Sequence, residues 1–206
     1  MNFINLKKQY QKIKKGINKD ILNILEKSNF ILGEEVFELE KRLADYVGVK
    51  ECITCASGTD ALLIPLMAYD IGSGDAVFTT NFSYFATTEV ISLTGASPIF
   101  VDIDKITYNI DSNDLEIQIK RIIKEDKLIP KAIISVDLFG QLANYKKIKK
   151  IAKKYNLILI EDAAQSFGAS FKNQKSCSFG DVSATSFYPA KPLGCYGDGG
   201  AIFTND

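Results

Sequence analysis

After Gly48 the chain becomes a run of short apolar segments separated by helical patterns, and this alternation constrains its fold more than any other feature. Segments near 51–55, 76–79, 98–101, 131–136, 157–161, 182–187 and 200–204 have the length and composition of strands. Helical spacing occupies 59–69, 84–94, 111–124 and 144–155 between them. Leu157-Ile-Leu-Ile160 shows no polar alternation, so that strand must be covered on both faces. The pattern predicts a three-layer α/β fold, a mostly parallel seven-stranded sheet flanked by helices. Only a loop separates the last two segments, which predicts an antiparallel pair there.

Two helices precede the sheet. One is lysine-rich, near 6–28, and the other, near 34–47, carries Val36, Leu39, Leu43 and Tyr46 at helical spacing. The apolar turn between them, Phe30-Ile-Leu-Gly33, is expected to pack down. The chain therefore divides into N-terminal helices, roughly 1–48, and a sheet domain, 49–206. One local conflict stands out. Pro65 falls inside a helical segment, where it removes a backbone bond at a cost of about 3 kcal/mol unless the helix bends.

Composition excludes several functions. The chain has no histidine, so Ser-His-Asp catalysis, Cys-His catalysis and His-ligated metal sites cannot be built from it. Its 25 basic and 25 acidic residues are interspersed, which argues against a nucleic-acid or membrane-surface partner. No run is long enough to span a bilayer, and the N-terminus lacks the apolar core of a signal peptide; a cytoplasmic protein is expected. Cys52 and Cys55 form a CxxC, but Cys177 and Cys195 supply no second one. Because Glu51-Cys-Ile-Thr-Cys55 reads as a strand, buried structural thiols are expected in preference to a redox or zinc site.

In an open α/β sheet, ligands gather beyond the carboxyl ends of the strands. Ser57 follows the first strand, Asn81 to Tyr84 the second, Asp162 and Gln165 the fifth, and Ser186 and Lys191 the sixth. Lys191 lies between Pro189 and Pro192 in a loop rich in glycine and aromatics, unlike most of the lysines here. Asp162 ends a buried strand, where a carboxylate requires a cation, a helix to cap or a metal to bind. An amine to hold an aldehyde and a carboxylate to keep a ring nitrogen protonated are what pyridoxal phosphate (PLP) requires. Beside such a charged ring the pKa of the amine falls, which favours the neutral nucleophile. Ser57-Gly-Thr59 reads either as an ordinary N-cap or as a phosphate cradle at a helix N-terminus. Gln165 reads as a surface amide or as a partner for a ring hydroxyl, and Tyr84 or Phe85 as a ring-stacking or a core aromatic. Gly197-Asp-Gly-Gly200 precedes a strand where a dinucleotide fingerprint would join a strand to a helix, so that signal is weak.

Ile31-Leu-Gly33, Ser57-Gly-Thr-Asp-Ala61, Glu161-Asp-Ala-Ala-Gln-Ser166, Ser186-Phe-Tyr-Pro-Ala-Lys-Pro-Leu-Gly194 and Gly197-Asp-Gly-Gly-Ala201 follow one another along the chain. In that order they resemble the DegT/StrS family of PLP-dependent nucleotide-sugar aminotransferases, of fold type I. The resemblance implies that Lys191 binds the cofactor and shuttles the proton, with Asp162 on the pyridine nitrogen and Gln165 on the ring oxygen. It places Tyr84 as the stacking aromatic and Gly58, Thr59 and Ser186 on the phosphate side, with no metal. It also implies L-glutamate as donor, a keto-sugar nucleotide as acceptor and a homodimer in the full-length protein.

The most similar branch aminates C3 of UDP-2-acetamido-2-deoxy-3-oxo-glucuronate for surface-polysaccharide synthesis. Sister enzymes that aminate C4 or act on dTDP-sugars share most of these residues. Family members continue well beyond the position of Asp206 with a smaller C-terminal domain, so a fragment lacking that domain is expected. Three rival readings stand beside this one: a non-catalytic cofactor-binding remnant, a CxxC redox protein and an NAD-binding oxidoreductase.

Overall fold

Period-two alternation along the strands decides where each helix packs. The computed structural model describes residues 4–206; residues 1–3, included above with the N-terminal helices, lie outside the described residues. Helices α1 (Leu6–Lys27) and α2 (Glu34–Val47) lead into β1 (Glu51–Cys55), α3 (Gly58–Ala68), β2 (Asp75–Thr80), α4 (Ala86–Leu93) and β3 (Ser97–Val101). Next come α5 (Ser112–Glu125), β4 (Ile129–Val136), α6 (Tyr145–Tyr155) and β5 (Ile158–Asp162). A small hairpin, β6 (Ser170–Phe171) with β7 (Gln174–Lys175), precedes β8 (Val182–Ser186) and β9 (Gly200–Thr204).

The seven longer strands form one sheet in the order β1-β9-β8-β5-β4-β2-β3. Pairing is parallel from β8 to β3, and β9 runs antiparallel to both of its neighbours, β8 and β1. On one face Val77, Ala132, Ile134 and Ile160 meet Leu62 and Leu66 of α3 and Val90 and Ile91 of α4. On the other, Phe78, Ile133 and Leu159 meet Ile119 of α5 and Ile148 of α6, while α2 lays Leu43 and Val47 against Cys52 and Phe203. Each fully buried side chain of this kind stabilises the fold by about 1.5–3 kcal/mol.

Three details differ from the sequence expectations. Phe30, Ile31 and Leu32 do not pack down: they are 63%, 84% and 67% exposed. The adjacent α1 buries none of its own residues either, and its Ile21, Leu22 and Leu25 are likewise exposed, so the turn has no covered surface beside it to join. Pro65 does not break α3, which runs through it to Ala68 with the ring buried, losing only the bond that its N–H would have made. Finally, α4 begins at Ala86 and leaves Tyr84 and Phe85 outside the helix.

Cys52 and Cys55 sit three residues apart on one strand, so they face opposite sides of the sheet, Cys52 with the α2 cluster and Cys55 with the α3 cluster. All four cysteines are free. Among the described residues no helix is long and apolar enough to cross a membrane.

Candidate active site

A cleft of about 500 Å³ opens where β5 and β8 end and α3 begins, and it is lined by Gly58, Thr59, Tyr84, Asp162, Gln165, Ser186 and Lys191. All seven residues assigned to a cofactor site from the sequence therefore share one cavity, although they come from four separate segments of the chain. Ser83 and Asp198, from segments the sequence also marked, line it as well, together with Thr87, Val136 and Leu138, which the sequence did not point to.

Asp162 is the last residue of β5 and, by the strand alternation, lies on the α3–α4 side. Its Oδ2 accepts from Thr87 Oγ1 at 2.8 Å and its Oδ1 from the Ala164 N–H at 3.2 Å. Ser83 Oγ stands 2.8 Å from the same Thr87 hydroxyl, so a short polar chain backs the carboxylate. Burial pushes the Asp162 carboxyl upward, opposed first by the Thr87 hydrogen bond, then by the Ala164 N–H and the charge of Lys191. The ion pairs among the described residues are all at the surface, and none includes Asp162.

Lys191 is half-buried in the loop after β8. Its N–H donates to Tyr188 O at 2.8 Å, and the Cys195 N–H donates to Phe187 O at 2.7 Å, which closes the loop on itself. Gly194 permits that closure, since a β-carbon there would stand 2.4 Å from Pro189 O. Burial lowers the amine's pKa, and the charge of Asp162 partly restores it. Both groups are thus biased toward neutrality by the same dry surroundings.

At the head of α3, Ser57 Oγ accepts from the Asp60 N–H at 3.0 Å and donates to Asp60 Oδ2 at 2.7 Å. The N-cap reading of Ser57 is correct, and it leaves the first-turn N–H groups of Gly58 and Thr59 without carbonyls of their own helix to bond. Gly58 is packed directly against Ser186: a β-carbon on Gly58 would lie 2.5 Å from the Ser186 β-carbon. Gly200 serves the same junction, where a β-carbon would lie 2.3 Å from Ser57 O. Tyr84 and Phe85 are 76% and 69% exposed, so neither is a core aromatic, and only Tyr84 lines the cleft.

The cleft thus brings together a neutralisable amine, a buried carboxylate without a cationic side chain paired to it, and a helix N-terminus flanked by Ser186, groups whose chemistry suits an anionic ligand with a basic ring. Residues 11–206 match the DegT/DnrJ/EryC1/StrS aminotransferase family, and the chain belongs to it.

One similar protein is the UDP-2-acetamido-2-deoxy-3-oxo-D-glucuronate aminotransferase of Pseudomonas aeruginosa, 54% identical over all of this chain and 55% of its own length. Another is the dTDP-3-amino-3,6-dideoxy-alpha-D-galactopyranose transaminase of Aneurinibacillus thermoaerophilus, 43% identical over 99% of this chain and 54% of the relative. A crystal structure of a DegT DnrJ EryC1 StrS aminotransferase from Brucella abortus superposes with a TM-score of 0.98 at 53% identity, covering all of this chain and 55% of that one. The chain spans about half the length of the relatives it matches.

Proposed function

We propose that this cleft binds pyridoxal phosphate and that the whole protein transfers an amino group from L-glutamate to a keto-sugar nucleotide. The observation that carries this reading is the lining of one cleft by both Lys191 and Asp162, close enough for each charge to bias the other. The donor set fits the cofactor. Gly58 and Thr59 N–H groups with the Ser186 hydroxyl suit a phosphate, and the buried Asp162 suits a protonated ring nitrogen. Bound there, the cofactor supplies an aldehyde for amine exchange and a ring that withdraws electrons from the reacting carbon.

The chain's own residues then have distinct tasks. Lys191 Nζ, lowered in pKa by burial, would hold the aldehyde and afterwards move a proton between the cofactor carbon and the substrate carbon that carries the amine. Asp162 holds a proton on the ring nitrogen, and Thr87 holds Asp162 in place. Gln165 offers its exposed amide to the ring oxygen, and Tyr84 covers one ring face.

For the acceptor, the 54% identity to the P. aeruginosa enzyme favours UDP-2-acetamido-2-deoxy-3-oxo-glucuronate with amination at C3. A dTDP-sugar acceptor, as in the name of the relative at 43%, is the second reading. The same reading entails a homodimer of the full-length protein.

Adding L-glutamate to the PLP-loaded protein tests it. The bound cofactor's visible absorbance should be lost and one equivalent of 2-oxoglutarate should form per site. An unchanged spectrum and no keto acid would leave a cofactor-binding remnant instead.

A further inference from the structure

The strand alternation that aims Asp162 at the cleft aims its neighbour, Glu161, at the opposite face, where a second acid, Asp137, is also buried. Glu161 and Asp137 are fully buried, and no lysine or arginine among the described residues forms an ion pair with either. Two serines connect them. Ser166 Oγ lies 2.9 Å from Asp137 Oδ2 and 2.6 Å from Ser176 Oγ, which in turn lies 3.5 Å from Glu161 Oε1.

Counting protons decides the charge state. The oxygen path from Asp137 through Ser166 and Ser176 to Glu161 has three contacts. The serines supply only one hydroxyl proton apiece, so with both acids ionised one contact holds no proton. One added proton fills every contact.

Its location follows from the remaining donors. Glu161 also accepts from the N–H groups of Cys177, Phe179 and Gly180 and from the Ser183 hydroxyl. Asp137 has only the Ala143 N–H and the Tyr145 hydroxyl besides Ser166. Glu161, with more donors aimed at it, keeps the charge.

We propose that Asp137 is a neutral carboxylic acid donating through Ser166 and Ser176 to an ionised Glu161, and that this brace positions the Asp162–Gln165 wall of the cleft. The wall is tied to the brace at both ends and along its backbone. Glu161 precedes Asp162, Ser166 follows Gln165, and the Asp137 N–H donates to Asp162 O at 3.0 Å. Besides each other, the titratable groups facing the two acids are Tyr145 from α6 and Cys177 from the segment before β8. Burial, then the charge of Glu161, holds the Asp137 carboxyl up at about 8. Ionising it would place two unpaired negative charges in the core and loosen the wall. Asp137 and Glu161 are positioning residues, since neither lines the cleft.

The protonation claim and the cofactor claim are tested separately; only the second rests on the function proposed above. Infrared difference spectra of the cofactor-free protein, wild type against Asp137→Asn, read the first. A carboxylic-acid C=O band at neutral pH that is absent from the variant is expected; no such band overturns the brace.

PLP titrations across pH read the second. The side-chain amide introduced by Asp137→Asn would donate to Ser166 as a neutral acid does, so this variant should bind the cofactor at pH 7 where Asp137→Ala binds poorly. With the competent form protonated below about 8, wild-type affinity relative to the Asp137→Asn variant should fall about tenfold by pH 9. A wild-type-to-variant ratio that stays flat with pH, or an Asp137→Asn variant as weak as Asp137→Ala at neutral pH, overturns the positioning role. A protein that shows the acid band but never binds PLP would refute the cofactor reading and leave the brace standing.

Discussion

Thr87 donates from Oγ1 to Asp162 Oδ2 at 2.8 Å, joining the first turn of α4 to the end of β5 across 75 positions of sequence. Thr87 is completely buried, and its hydroxyl is shared between that carboxylate and the Ser83 hydroxyl. It also explains how an unpaired acid survives at the floor of a cleft before any ligand arrives.

Removing this donor without changing shape isolates its contribution. Thr87→Val should weaken PLP binding roughly tenfold to a hundredfold, the equivalent of one hydrogen bond to a charged group. Spectrophotometric titration measures the affinity, and unchanged far-UV circular dichroism checks that the fold is intact.

Gly58 and Ser186 form the joint between α3 and β8. Gly58→Ala would force its new β-carbon, 2.5 Å from that of Ser186, to push helix and strand apart. A loss of about 1–3 kcal/mol in urea unfolding is expected. Adding Ser186→Gly should recover part of that loss, so the two changes should be clearly non-additive.

What was legible in the chain, and what was not, divides along physical lines. The strands announced themselves because burial on both faces leaves no polar alternation, and Asp162 stood out as the acid ending such a strand. Asp137 ends the neighbouring strand segment in the same way, after Ala132-Ile-Ile-Ser-Val136, and the same signal would have found it. Thr87 carried no such mark, because its role depends on the fold bringing the start of α4 to the end of β5, a relationship no local pattern encodes. The Phe30–Leu32 turn was misjudged for the converse reason: apolar composition records a need for cover but not what supplies it.

The buried acids give stability a definite pH dependence. The folded protein holds the Asp137 proton up to about pH 8, whereas the unfolded chain releases it near its ordinary value of 3.8. The native state binds more protons across that window, so stability should fall as pH rises through it, by at most about 1.4 kcal/mol per pH unit for one proton. Asp137→Asn should flatten the slope of urea stability measured from mildly acidic to mildly alkaline pH. Glu161 and Asp162, both raised by burial, should keep a residual slope.

The thiols should behave as packing residues. Burial pushes Cys52 up to about 12 and Cys55 up to about 11, and raises Cys177 as well. These three should label slowly in the native protein at mildly alkaline pH, while all four should label fast once it is unfolded. An oxidant should form no Cys52–Cys55 disulfide, since the two side chains face opposite sides of β1. Rapid native labelling of the pair would revive a redox role.

Covalent trapping tests the assignment of Lys191 most directly. The protein is loaded with PLP, reduced with borohydride, digested and mapped by mass spectrometry. Label confined to the peptide that contains Lys191, and lost in Lys191→Ala, is the expected result. Label on a different lysine, or none at all, would contradict the assignment of this cleft.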